Sequence, residues 1–313
     1  MDTYGFYLSK MILPINLSAD YGRTYSWLIP QGWTKEIFVF LFFIFSLIFL
    51  FWKRPQSRTP ILILASILVL PLTPVSGLIP FAMQHYSNVA DHYAAFSLVA
   101  WAGLFFAMRT SNKKINAALI AALVFYSWQS VQYRKTWINN ETFAMHTLEI
   151  NPRSFMAYNN LGLHWLRQGK KEEALNLFSQ SIELNPKVIN AYLNSVVILN
   201  EQKRYDESLA ILKRCEESCH KGATIPLVIA NVYEEQGRKN EALNIYIKAK
   251  EDYPTNAKVR YELGMAYWGR DQFTEAISEL KEATQLEPEN EQYMRVLKQS
   301  ELLYEQVKKV NNL

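Results

Sequence analysis

Four prolines, Pro152, Pro186, Pro254 and Pro288, fall on one lattice with a spacing of 34 residues, and His220 takes the remaining node. The same interval relates Ala174, Ser208, Ala242 and Ala276. It also relates Phe178, Leu212, Tyr246 and Leu280, and again Trp165, Leu199, Tyr233 and Tyr267. An interval kept without insertion constrains the fold more than any composition does. Each interval must be one supersecondary unit that cannot bury its apolar face alone and therefore stacks on its neighbours. Small residues at Gly162, Ala230 and Gly264 let the two helices of a hairpin approach, and Ala174, Ala242 and Ala276 do the same from the second helix. The aromatic and leucine columns fill the space between hairpins. The prolines end each second helix, because proline has no N–H with which to continue it.

The lattice predicts an arm over 139–290 with four full units, 155–188, 189–222, 223–256 and 257–290, followed by a polar capping helix and tail at 291–313. One interval back from Phe178 and Pro186 stand Ala144 and Pro152, so 139–154 reads as the second half of a further unit. Its first helix would then be the end of a membrane span, which predicts a rigid joint between bilayer and arm. A short amphipathic connector is the alternative reading.

The segments YNNLGLHW and RYELGMAYW, with the turns GKKEEALNLF and GRKNEALNIY, resemble the tetratricopeptide family. The resemblance implies a right-handed superhelix whose first helices line a concave face. On that face it implies a partner-binding set of Asn159, Asn160, Arg167, Asn190, Asn194, Asn231, Lys258 and Tyr261. An asparagine amide both donates and accepts, so it can pair with an extended peptide backbone without reading side chains. Asn160 and Asn194, one interval apart, resemble the start of an asparagine ladder that stops at Val228 and Glu262. The plainer alternative is that these are solvated helix residues.

The first 138 residues differ in kind, being apolar and aromatic. Residues 1–35 read as an extracytoplasmic or interfacial segment, and 36–138 as a membrane section with four spans, 36–53, 61–81, 93–109 and 115–133. Trp33 and Trp52 suit the two interfaces of the first span. Pro71, Pro74 and Pro80 require the second to kink or turn back. Lys53, Arg54 and Arg58 lie between the first two spans and Arg109, Lys113 and Lys114 between the last two, with no Lys or Arg from 59 to 108. The positive-inside rule places both basic loops in the cytoplasm, which sends the arm to the periplasm or lumen. The fold class expected is therefore all-α, a polytopic helical membrane section followed by an α-solenoid.

The segments MILPINLSADYG, PVSGLIPFAMQHYSNVADHY and YRKTWINNETFAMHTLEINPRSFMAYNNLG resemble the late membrane section of transmembrane O-mannosyltransferases. Those enzymes use dolichyl- or polyprenyl-phosphate sugars and carry tetratricopeptide arms. The resemblance implies a candidate lipid-phosphate or membrane-interface site at Asp91, His92 and Tyr93, where the family more often has Asp-Arg-Tyr. It also shows a departure: the family's catalytic carboxylates follow its first membrane helix, and no counterpart precedes Met11. The expectation is a membrane-anchored scaffold that binds protein or peptide, with membrane lipid around its spans and no catalytic residues, metal or cofactor. The alternative is a truncated or split glycosyltransferase subunit acting with a separately encoded catalytic membrane partner.

A net charge of +4 without a basic stripe excludes nucleic acid as a partner. No phosphate loop, Ser/His/Asp set or HExxH segment occurs. The two cysteines, Cys215 and Cys219, stand four apart on one expected helix, where a bridge would be strained, so they read as small helix-compatible side chains.

Overall fold

The computed structural model describes residues 6, 9–10, 35–53, 113–219 and 222–311. Within them every element is helical and no strand occurs. The chain divides into two units, 1–170 and 171–313.

In the first unit, α1 (Lys35–Lys53) is the one helix among the described residues long and apolar enough to cross a bilayer. Phe38, Phe42, Phe45, Ile48, Phe49 and Trp52 are all exposed, so its apolar side chains have no protein core to enter. Helix α2 (Lys113–Arg134) is interrupted by Asn116, Gln129 and Gln132, yet it also turns Ile120, Val124, Trp128 and Val131 outward. The expected spans at 61–81 and 93–109 lie outside the described residues. After a 3-10 turn at Lys135–Trp137, α3 (Asn140–Ile150) opens with Asn139 as its cap. The Asn139 side chain accepts from the Thr142 N–H at 2.8 Å, which satisfies one of the free donors of the first turn. Helix α3 packs on α4 (Phe155–Arg167) and buries Ala144 completely. Ser154 caps α4 in the same way, through Ala157 N–H.

The second unit contains α5 (Lys171–Leu184), α6 (Ile189–Glu201), α7 (Tyr205–Ser218), α8 (Thr224–Glu235), α9 (Lys239–Asp252), α10 (Ala257–Trp268), α11 (Phe273–Leu286) and α12 (Glu291–Asn311). Each helix packs on the next, as a stack of hairpins requires. The columns found by interval form the core. Ala174, Ser208, Ala242 and Ala276 are fully buried, and so, to within 1 % exposure, are Phe178, Leu212, Tyr246 and Leu280. Burying one such leucine or aromatic contributes about 1.5–3 kcal/mol, so a row of four carries a large share of the unit's stability. Helices α5, α9 and α11 end two residues before Pro186, Pro254 and Pro288. At the far end α12 closes the stack: Tyr293 lies on Tyr261 with ring centroids 4.7 Å apart, and Lys281 bridges Glu301 at 3.0 Å.

The turns inside the hairpins show why the interval extends to the loops. Gly169 and Gly237 adopt φ of 78°, and their N–H groups bond Leu166 and Glu234 carbonyls to end α4 and α8. The same column in the other two repeats holds Lys203 and Asp271, both at φ 59°. A left-handed conformation costs a residue with a Cβ about 1–2 kcal/mol, whereas glycine gives back about 0.5–1 kcal/mol through its freer unfolded chain. Lys203→Gly and Asp271→Gly should therefore each stabilise the arm by about 0.5 kcal/mol. The check is the urea midpoint followed by circular dichroism, with Gly237→Ala moving it the opposite way.

The cysteine expectation is overturned: Cys215 and Cys219 form a disulfide. They are not two positions inside a helix. Cys219 is the C-cap of α7, with extended backbone (φ −80°, ψ 166°), and its Cα lies 5.1 Å from that of Cys215, within the ordinary reach of a bridge. The bridged pair is also the pair whose backbones bond, Cys219 N–H donating to Cys215 O at 2.7 Å. In the second helices of the other three repeats the matching pairs are Asn185–Ser181, Tyr253–Ala249 and Glu287–Ala283, each joined by the same backbone bond. Those three have the proline stop two residues beyond the helix. Helix α7 has the bridge, and His220 at its proline node lies outside the described residues.

Candidate functional site

The first helices of two successive hairpins, α6 and α8, each contribute a stripe of side chains to one groove. On α6 that stripe is Leu193, Val196, Val197, Asn200 and Glu201; on α8 it is Val228, Asn231 and Glu235. The spacing of three, four and seven keeps each set on one side of its helix. Between them lies a groove of about 490 Å³. Its floor is aliphatic, and Val197 is half exposed there although a solvated helix position has no use for a valine.

The two asparagines of the groove are oriented from behind. Ser208 Oγ donates to Asn200 Oδ1 at 2.6 Å, and the buried Tyr246 hydroxyl donates to Asn231 Oδ1. Both donors come from the second helix of the asparagine's own hairpin. Each amide therefore has its oxygen engaged and presents its NH2 group, a donor suited to a backbone carbonyl. The charges of the groove are Glu201 and Glu235. Glu201 is paired with Lys171 at 2.8 Å, and Glu235 forms no ion pair among the described residues.

The surroundings of Tyr246 are also acidic. Burial is the main cause that pushes its phenol up, with Glu234 and Glu262 adding to the rise. Burial likewise pushes the Glu262 carboxyl above its usual range; Lys258 draws it back and Glu234 raises it further. A carboxyl whose folded value is raised binds protons more readily in the folded chain, so its ionisation works against folding. That penalty is present at neutral pH and is relieved as pH falls through the raised value. Glu262→Gln should accordingly raise the melting temperature at pH 7, and the advantage should vanish below pH 4.5, the ordinary value for this group. Paired thermal melts of the two proteins across that range provide the check.

The expected site residues Asn159, Asn160 and Arg167 lie on α4 in the first unit, Asn159 and Asn160 half-buried and Arg167 exposed. In the second unit Asn190 is exposed in the first turn of α6, Asn194 is half-buried on the same helix, and Lys258 is exposed on α10. Tyr261 is engaged by the capping helix, stacking on Tyr293 and accepting from Gln292 Nε2 at 3.3 Å. Asn231 is the one member of the set that lines the groove. Val197, Asn200 and Glu235 line it too, although none of them belongs to the asparagine column of Asn160 and Asn194. The signal available was the column one turn further on, Val197 and Asn231, also 34 apart. Asp91, His92 and Tyr93 fall outside the described residues. Among those described, no group of three His, Cys, Asp or Glu side chains could hold a metal ion.

A stack of helical hairpins repeating every 34 residues defines the class as a helical-repeat protein. The tetratricopeptide repeat model matches residues 155–188 and again 227–299, so the chain carries tetratricopeptide repeats. No curated protein matches. Among solved structures, the chain is similar to YrrB, described as a tetratricopeptide protein with an unusual peptide-binding site. Identity there is 18 %, covering 56 % of this chain and 88 % of that one, with a TM-score of 0.39. It is similar to residues 41 to the end of MamA from Desulfovibrio magneticus RS-1, at 20 % identity, 50 % and 89 % coverage and a TM-score of 0.39. It is also similar to TTC0263, a thermophilic tetratricopeptide protein of Thermus thermophilus, at 19 % identity, 55 % and 95 % coverage and a TM-score of 0.43.

Proposed function

We propose that this chain is a membrane-anchored tetratricopeptide scaffold that holds another protein, or a peptide segment of one, in the groove between α6 and α8. The observation that carries the reading is the pair of amides at Asn200 and Asn231. Hydroxyls from behind hold their oxygens and leave two NH2 groups beside an exposed valine. Amide donors beside an apolar floor suit a chain segment whose carbonyls and side chains alternate in direction. A photo-crosslinking residue at position 197 of the full-length protein in its own membranes should capture a discrete partner, and Val228→Asp should abolish the capture. Crosslinks that form only within the chain itself would remove the scaffold reading.

The anchor in this reading is α1, whose outward aromatic and aliphatic side chains suit lipid. The arm belongs outside the cytoplasm. The positive-inside distribution supports that placement, and so does the Cys215–Cys219 bridge, since disulfides persist in oxidising compartments. The protein should stay with membranes through carbonate extraction. Protease added to sealed right-side-out vesicles should digest the arm without detergent. Digestion only after permeabilisation would place the arm on the cytoplasmic side.

A further inference from the structure

We infer that the α6–α8 groove takes an extended segment in which a lysine or arginine is flanked by apolar residues, and that Glu235 supplies the preference for the basic side chain. The inference rests on the scaffold reading above and adds the chemistry of the occupant. Three features of the groove specify it. The floor, built from Leu193, Val196, Val197 and Val228, is aliphatic and demands apolar side chains. The amide NH2 groups of Asn200 and Asn231 are donors suited to carbonyls, and their oxygens are already engaged by Ser208 and Tyr246. The charge is of one sign, because the lining carries Glu201 and Glu235 and neither lysine nor arginine.

The two carboxylates are not equivalent. Glu201 is bound at 2.8 Å by Lys171, so part of its charge is already balanced. Glu235 forms no ion pair among the described residues, and its neighbour in the chain, Glu234, adds to the negative field around Tyr246. An acidic occupant would bring like charges together beside Glu201 and Glu235. A basic one supplies the missing counter-charge, and its aliphatic stem can lie along the valines while the head reaches Glu235. The apolar floor provides affinity, the amides set the backbone register and the carboxylate discriminates.

The experiment uses full-length protein in lipid nanodiscs and three labelled peptides that differ at one central residue. These are Ser-Thr-Val-Arg-Val-Thr-Ser-Gln and its variants with Gln or Glu in place of Arg, measured by fluorescence anisotropy. The Arg peptide should bind roughly fivefold tighter than the Gln peptide, as expected for one partly exposed ion pair, and the Glu peptide weakest. The Arg-to-Gln affinity ratio should fall toward one in 0.5 M salt and in Glu235→Gln. It should persist in Glu251→Gln, which changes an exposed carboxylate on α9. Equal binding of the three peptides, or an unchanged ratio in Glu235→Gln, overturns the charge inference while leaving the scaffold standing. Failure of every peptide to bind, together with absent crosslinks at position 197, overturns both.

Discussion

Gly264→Val should destabilise the repeat arm by about 3 kcal/mol, at the upper end of what overpacking a core costs. A Cβ built at Gly264 would lie 2.9 Å from Leu280 Cγ and 3.1 Å from the Ala276 carbonyl oxygen. The first neighbour belongs to a completely buried side chain and the second to backbone, so neither can yield cheaply. Here α10 and α11 touch through a glycine facing an alanine, and the hairpin has no slack at that crossing. Alanine at 264 tests the same contact more gently. Removing a mid-helix glycine favours the helix by about 1 kcal/mol, which offsets part of the clash and leaves a net loss of about 1 kcal/mol. Thermal melts should show Gly264→Val lowered by roughly 6–12 °C. Adding Leu280→Ala to Gly264→Ala should cost less than the two changes summed, because the shortened side chain vacates the space the new methyl needs. Strict additivity would mean that the close approach is absent.

That contact was legible before any coordinates, and the reason is geometric. A stack of hairpins places the 264 position of every repeat at the same crossing, and its residue is small in three of the four, Gly162, Ala230 and Gly264; the second repeat has the buried Val196, so the closeness of the crossing differs between hairpins. The same holds for the Phe178, Leu212, Tyr246 and Leu280 column and for the turn column of Gly169 and Gly237. Where the chain departs from a column, periodicity alone gives the wrong chemistry. Lys203 and Asp271 keep the glycine's positive φ without being glycine. Cys215 and Cys219 occupy the acceptor and cap positions of their helix, a fact contained in the interval but hidden by treating them as four apart in mid-helix.

The groove was harder to read for a different reason. Which side of α6 and α8 is free depends on how the helices roll against each other. That roll brings Val197, Asn200 and Glu235 to the opening and leaves Asn190 outside its lining. The donors that orient its asparagines, Ser208 and Tyr246, sit in columns that read simply as core. Their hydroxyls do both jobs.

Glu279 is the clearest departure from a column, and removing it is the second large effect expected. The equivalent residues one, two and three repeats earlier are Ile245, Ile211 and Leu177, so an aliphatic side chain belongs there. In the last repeat a carboxylate stands in its place, 8 % exposed, with Lys250 Nζ at 2.8 Å from one oxygen and Arg260 Nη1 at 2.9 Å from the other. The three residues come from α9, α10 and α11, so one carboxylate fastens the third repeat to the fourth. Glu279→Ala leaves two cations facing one another in a half-buried space and opens a cavity. Breaking a buried pair costs about 3–5 kcal/mol, and the partial exposure of Lys250 brings the expected loss to about 2–3 kcal/mol. Restoring the column by Glu279→Ile alone should not recover stability, because the cations remain. Glu279→Ile combined with Lys250→Met and Arg260→Tyr should recover most of it, since a well-packed apolar cluster commonly equals a buried ion network. Tyrosine fits position 260 because Tyr192, two repeats earlier, donates to the Pro186 carbonyl at 3.1 Å where Arg260 donates to that of Pro254 at 3.3 Å. Urea unfolding of the set gives the coupling directly. If the triple variant were as unstable as Glu279→Ala, the loss would come from the cavity and the altered packing, and the network would have no part in joining the two repeats.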